Sequence, residues 1–322
     1  MTHDFDAYVT DIAFERAGWA AALGDGTVRF EGGANVAAHD GAILCACLHP
    51  SGEGLLTGGD DGRVVWSKAD GAVEVAQVRG RWIDAIDASV ESGLIAFAAG
   101  KDLHVRDARD ASFSRAFTHE RSVAALAFDP KGRRIAAATY NGAALWYARI
   151  ADQKPAFLKW AGSHIGLAFS PDGKFLVSSM QENQLHGWRL SDAKDMRMGG
   201  YPAKVKSLAF LARGAAMVTS GASGAVVWPF GGPNGPMGKE ASEIGYDQAA
   251  LVVKVAGAPT RPFIAAGLDD GRVWTADLTA RGVTWLKAQK GAAISALALH
   301  GDRVAWGDED GGVGVASLSD LG

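Results

Sequence analysis

Apolar and polar positions alternate along this chain in short bursts with a period of two. The bursts are "VTDIAF" (9–14), "ILCACL" (43–48), "IDAIDA" (83–88), "VAALAF" (123–128), "HIGLAF" (164–169), "VKSLAF" (205–210), "ALVVKV" (250–255) and "ISALAL" (294–299). Alternation of this kind predicts strands with one face buried, and no helix-length amphipathic run competes with it. A turn often follows, as in "DPKGR" (129–133) and "SPDGK" (170–174), where Pro fixes φ and Gly takes the position that needs φ > 0. Next comes a second, more apolar strand rich in small residues, such as Ala98, Ala99, Ala137 and Ala138. An Asp- or Asn-Gly hairpin turn leads to a third strand. A looser fourth segment, such as "VEVAQV" (73–78), ends the unit.

The third strands end at Phe30, Trp66, Arg106, Trp146, Trp188, Trp228, Thr275 and Val315, in steps of 36, 40, 40, 42, 40, 47 and 40 residues. That is one unit of about forty residues written eight times, with approximate bounds 5–38, 39–78, 79–118, 119–160, 161–200, 201–245, 246–289 and 290–318. Four antiparallel strands per forty residues predict the blades of a β-propeller. A sandwich rarely repeats so regularly, and a β-helix has shorter coils. We therefore expect an all-β, single-domain propeller over residues 1–322, with eight four-stranded blades; seven is the alternative. Only "MTHDF" precedes the first strand, so the last blade is expected to have three strands or a very short fourth from residues 2–5.

The units resemble WD40 repeats across nearly the whole chain, most closely "VAALAFDPKGRRIAAATYNGAALW" (123–146) and "HIGLAFSPDGKFLVSSMQENQLHGW" (164–188). The resemblance is to a divergent, bacterial-type member of that family. It places His39 and His119 at the first His of the repeat, with Phe5, Trp160, Tyr201, Tyr246 and Lys290 in the equivalent places. Asp25, Asp61, Asn141, Asn183, Asp270 and Asp310 match the turn Asp. The family's aromatic lies six residues after that Asp, whereas Phe30, Trp66, Trp146 and Trp188 lie five after it. One residue on a strand changes the face. Full His–Ser/Thr–Asp–Trp networks are therefore not expected, and Thr57 and Thr139 are expected to make partial bonds in the turns. Trp66 and its equivalents are expected to be core residues sharing one face, not a stacking platform.

Composition narrows the function classes. Gly is dense at 42 residues, which suits many tight turns. A net charge of −4 gives no electrostatic reason for nucleic acid or anionic membrane as the main partner. No leader peptide or apolar span is visible, so a cytoplasmic location is expected. Cys45 and Cys47, two apart on one strand, are too few for a disulfide framework. No catalytic, phosphate-binding or metal motif is present, and "GGDDG" (58–62) and "DEDGG" (308–312) lack calcium-loop spacing. His49, His104 and the acids Asp11, Asp84 and Asp87 stand alone. No enzyme activity, cofactor or metal is expected.

Binding is the stronger expectation. The loops entering the first strands carry Asp40, Arg81, Trp82, Arg121, Trp160, His164, Tyr201, Lys204, Tyr246 and Lys290. Aromatic and basic residues of this kind favour protein contacts. Arg81, Trp82, Arg121, His164, Lys204 and Lys290 form the expected partner face, suited to an acidic peptide or loop, while Trp160, Tyr201 and Tyr246 could instead fill the slot of the missing His. The expected function is a non-enzymatic scaffold or adaptor, monomeric in isolation, holding a protein partner. The alternatives are a propeller enzyme or small-ligand sensor using the channel, and a structural subunit of a larger assembly.

Overall fold

A computed structural model describes residues 2–280 and 282–321. Met1, Arg281 and Gly322 lie outside it, as do the expected domain limits at 1 and 322. The chain divides into two compact units. Residues 10–169 hold three four-stranded antiparallel sheets. Their strands are Val9–Glu15, Gly18–Leu23, Thr27–Phe30 and Asn35–Ala37; Ile43–Leu48, Leu55–Gly59, Arg63–Lys68 and Gly71–Gln77; and Ala85–Ser89, Leu94–Ala99, Asp102–Asp107 and Asp110–Thr118. The other unit, residues up to 9 and from 170 onward, also holds three. Two are Leu208–Leu211, Ala216–Thr219, Ala225–Pro229 and Ser242–Ile244, and Val252–Gly257, Phe263–Leu268, Val273–Asp277 and Thr284–Lys287. The third joins Ile294–His300, Arg303–Asp308 and Gly312–Ser317 to the N-terminal Thr2–Asp4, which pairs antiparallel with Gly312–Ser317. The short strand expected from residues 2–5 thus completes the last sheet.

The remaining strands are Ala125–Phe128, Arg134–Tyr147 and Ala156–Phe169 in the first unit, and Phe175–Met180, Leu185–Arg189 and Lys194–Met198 in the second. The expectation of eight separate blades is corrected to seven, the number of hydrogen-bonded sheets among the described residues: the strand Ala156–Phe169 runs unbroken from repeat 119–160 into repeat 161–200. The cause is local. Arg134–Tyr147 turns back on itself at Tyr140–Asn141, and the Ala148 amide donates to the Arg133 carbonyl at 2.9 Å. The turn is only two residues long, with Asn141 at φ 71° and Gly142 after it at φ 147°, so no loop interrupts the strand. Ala156–Phe169 likewise runs on from its pairing with residues 142–145 into the next repeat.

Elsewhere the turn is longer and does a second job. Asp61 Oδ1 accepts from the Arg63 amide at 2.9 Å, and Gly62 follows at φ 79°. A Cβ on Gly62 would sit 2.4 Å from the Val78 carbonyl, because this turn is pressed against the loop that enters the next sheet. The Val78 amide donates to the Gly62 carbonyl at 2.8 Å. Only Gly allows both the backbone angle and the approach.

The second strands are buried on both faces. Along Leu94–Ala99, Leu94, Ala96 and Ala98 join one apolar cluster, while Ile95, Phe97 and Ala99 join another. Each such strand serves two neighbouring sheets, which explains its small residues. The first strands are coupled differently. Thr10 Oγ1 donates to the Ile43 carbonyl at 3.0 Å, Cys45 Sγ to the Ile83 carbonyl at 3.3 Å, and the Phe128 amide donates to Asp87 Oδ2 at 2.7 Å. In the other unit Ser207 Oγ bridges the amide and carbonyl of Val255, and Ser295 Oγ donates to the Val9 carbonyl at 2.7 Å.

The tryptophans need a correction. Trp66 shares a cluster with Val64, Ile83 and Ile95, so it faces the sheet that follows it. Trp146 shares one with Ala144, Leu94 and Phe117, so it faces the sheet before it. Equal distance from the turn Asp or Asn does not give equal faces, because the turn after Thr139 is shorter than the one after Thr57. Trp66 is also partly exposed, stacked on His49 with ring centres 3.9 Å apart, whereas Trp274 is fully buried. Trp274→Ala should therefore cost about 3–5 kcal/mol and Trp66→Ala clearly less. Urea denaturation of both variants checks this; equal losses would contradict the burial difference.

Candidate functional site

Partial networks tie the first residue of several repeats to the body of its sheet. His39 Nδ1 lies 3.0 Å from Asp61 Oδ1, and its Nε2 lies 2.9 Å from Thr57 Oγ1. Trp146 Nε1 donates to His119 Nε2 at 3.0 Å. Trp228 Nε1 donates to the Tyr201 hydroxyl at 2.6 Å, which is 2.6 Å from Thr219 Oγ1. Trp66 instead donates to the Glu53 carbonyl, and Thr139 bonds locally to the Gly142 carbonyl. Tyr201 therefore fills the His slot, as one reading of the sequence had it; Tyr246 does not, being 64% exposed.

The other expected partner-face residues separate by environment. Asp40, Arg81, Trp82 and Arg121 are exposed in the unit of residues 10–169, Trp82 to 66%. Lys204 is partly exposed and Lys290 exposed in the other unit, where Lys290 Nζ lies 3.3 Å from Asp270 Oδ2. Trp160 is partly buried. His164 is buried, with Nε2 3.1 Å from the Trp160 carbonyl, and offers no surface to a partner. Its strand runs through the position where other repeats have an open loop.

Arg121 borders a cavity of about 320 Å³, lined also by His119, Tyr140, Trp146, Pro155 and Phe157. Tyr140 is 56% exposed and Phe157 50%. Burial of His119 pushes its imidazole below the usual range, which suits its role as acceptor from Trp146. Among the described residues no ion pair or hydrogen bond engages the Arg121 guanidinium. The loop-by-loop reading of the sequence missed Tyr140 and Phe157. Their signal was an aromatic beside the Asn-Gly turn, and an outward aromatic on the fourth segment "KPAFLKW" (154–160).

A second, larger cavity of about 650 Å³ lies in the other unit, lined by Tyr201, Trp228 and Tyr246 together with Lys239, Glu240 and Glu243. The long connection after Ala225–Pro229 supplies Lys239 and Glu240, the strand Ser242–Ile244 supplies Glu243, and Tyr246 follows it.

Two acids and two thiols at the first strands are perturbed by their surroundings. Desolvation pushes Asp87 up to about 6, against the pull of the Phe128 and Ala88 amides, and raises Asp84. Burial and nearby carboxylates push the Cys45 and Cys47 thiols well up, so both stay protonated and weakly nucleophilic. Among the described residues no group of three or more His, Cys, Asp or Glu is placed to hold a metal ion, and no helix is long and apolar enough to cross a membrane.

The WD domain, G-beta repeat family matches residues 34–66, which contain the His39–Thr57–Asp61 network. A solved structure of the computationally designed Ika8 protein is similar over 98% of each chain, with 20% identity and a TM-score of 0.79. The fold is a β-propeller. No curated protein matches the chain. The WD40-like signal covers residues 34–66, where His39, Thr57 and Asp61 meet.

The deep acid gives a pH signature. The folded value of Asp87 lies above its ordinary 3.8, so its favourable contribution is full below about 4 and is lost as pH rises through about 6. Asp87→Asn keeps an acceptor for the Phe128 amide and removes the titration. From pH 4 to 7 the wild type should lose about 1–3 kcal/mol of stability relative to the variant. Parallel stability–pH curves, measured by urea denaturation, would contradict the raised value.

Proposed function

We propose that this propeller is a non-catalytic interaction scaffold that holds a short acidic–aromatic segment of a partner protein at the Arg121 cavity. The observation carrying this reading is the juxtaposition of an unengaged Arg121 guanidinium with the half-exposed rings of Tyr140 and Phe157 around a 320 Å³ cavity. A cavity of that size takes one large side chain. Exposed aromatics beside an Arg supply the anchor and the charge that peptide recognition uses. Trp146 forms the floor, fixed by its bond to His119 and by stacking on Phe117 with ring centres 4.5 Å apart. Arg81 and Trp82, on the preceding loop, extend the basic and aromatic character of the same unit. The free thiols Cys45 and Cys47 suit a reducing compartment, and we place the protein in the cytoplasm on that ground.

A second reading is a ligand-binding propeller. It is favoured by the 650 Å³ cavity, whose volume and three aromatic walls fit a small molecule or a single modified side chain.

Selection from a random peptide library tests the first reading. Wild-type protein should enrich peptides that place a carboxylate beside an aromatic or large apolar residue. Arg121→Glu should abolish that enrichment and Phe157→Ala should weaken it roughly tenfold, with both variants melting as wild type because both side chains are exposed. No enrichment above background, or enrichment indifferent to both changes, would refute it.

A further inference from the structure

The larger cavity has a chemistry that the Arg121 cavity lacks. Its walls are Trp228, Tyr201 and Tyr246, and its charged lining is Glu240, Glu243 and Lys239. Tyr201 and Trp228 are held rigid by the hydroxyl–indole bond at 2.6 Å, and Thr219 anchors the same hydroxyl. Tyr246 stands 64% exposed and supplies the open wall. Gly199 and Gly200 also line the cavity, and a Cβ at either would meet nothing within 4 Å, so no atom crowds that stretch.

The charges favour a cation. Glu243 keeps one oxygen on the Gly224 amide at 2.6 Å, which fixes its carboxylate at the wall. Among the described residues no ion pair or hydrogen bond engages the Glu240 carboxylate. Lys239 is tied back, its Nζ donating to the Gly231 carbonyl. Two carboxylates and one tethered ammonium therefore share the lining with three aromatic rings. Electron-rich ring faces attract cations most when desolvated, and a bulky, weakly hydrated ammonium enters such a site at the least dehydration cost.

We infer that this cavity is a site for a quaternary or heavily alkylated ammonium group. The inference rests on the ligand-binding reading and is independent of peptide docking at Arg121. The ammonium could belong to a free small molecule or to a methylated lysine of a protein, and the cavity chemistry is the same for both.

Isothermal titration calorimetry tests it with four probes: tetramethylammonium, choline, a peptide bearing trimethyl-lysine, and a neutral tert-butyl isostere of choline. The cations should bind roughly tenfold more tightly than the neutral isostere. Tyr246→Ala and Glu240→Gln should each weaken cation binding several-fold, Tyr246→Phe should retain it, and Arg121→Glu should leave it unchanged. Both substituted side chains are exposed, and a thermal melt confirms that each variant is folded. Choline equal to or tighter than the peptide points to a free ligand; a tighter peptide points to a protein-borne one; either supports the site. No cation binding, equal binding of the neutral isostere, or wild-type affinity in Tyr246→Ala would overturn it. Loss of cation binding with peptide selection intact at Arg121 would refute this site alone.

Discussion

The bridge between one first strand and the next is the contact on which the rest of each unit depends. A first strand has sheet partners on one side only. Its other neighbour is the first strand of the following sheet, with which it makes no ladder. A single side chain closes that gap: Thr10 onto Ile43, Cys45 onto Ile83 and Asp87 onto Phe128 in one unit, and Ser207 onto Val255 and Ser295 onto Val9 in the other. Each bridge satisfies backbone that the ladder leaves unpaired and fixes the spacing of neighbouring sheets. Asp87 shows what the position can cost. A carboxylate there reaches the Phe128 amide but is raised to about 6 by desolvation, whereas hydroxyls at Thr10, Ser207 and Ser295 form the bridge without carrying charge.

With the inner edge fixed this way, the outer half of each repeat is free to vary. The second strands are buried on both faces, as at Leu94–Ala99. Third and fourth strands, with the loops around them, carry the residues that line both cavities. Trp146 and Trp228 are held in place by His119 and Tyr201, and the exposed rings of Phe157 and Tyr246 line the same cavities. The same local device, an indole N–H donated to the first residue of the repeat, thus underlies two cavities of different charge. One is bordered by an unengaged Arg and the other by two carboxylates, which is why they are assigned different ligands.

Much of the fold was legible in the sequence because strand alternation and Gly turns are local signals. The four-strand anatomy, the small residues of the second strands and the short N-terminal partner of the last sheet all follow from it. The sheet count does not. Whether two repeats share a sheet depends on a two-residue turn at Tyr140–Asn141 and on the unbroken course of Ala156–Phe169, and neither changes the period. Trp66 and Trp146 show the same limit, since counting from the turn Asp ignores the length of the turn itself. At the Arg121 cavity, the exposed loop position of Arg121 was legible. Tyr140 and Phe157 were missed, because an aromatic beside a turn or on an outer strand looks like a core residue when only alternation is read. His164 failed for the opposite reason: the position suggested a loop, and the backbone made it strand.

Amide hydrogen exchange tests this division between fixed inner strands and open outer cavities most directly. The amides of Phe128 and Val255 donate to Asp87 and Ser207 and should exchange only through global unfolding. Those of Arg121 and Tyr246, at the cavity mouths, should exchange through local opening, orders of magnitude faster. Exchange of Phe128 and Val255 at the rate of the cavity loops would contradict the account, because the bridges would then not be holding the sheets.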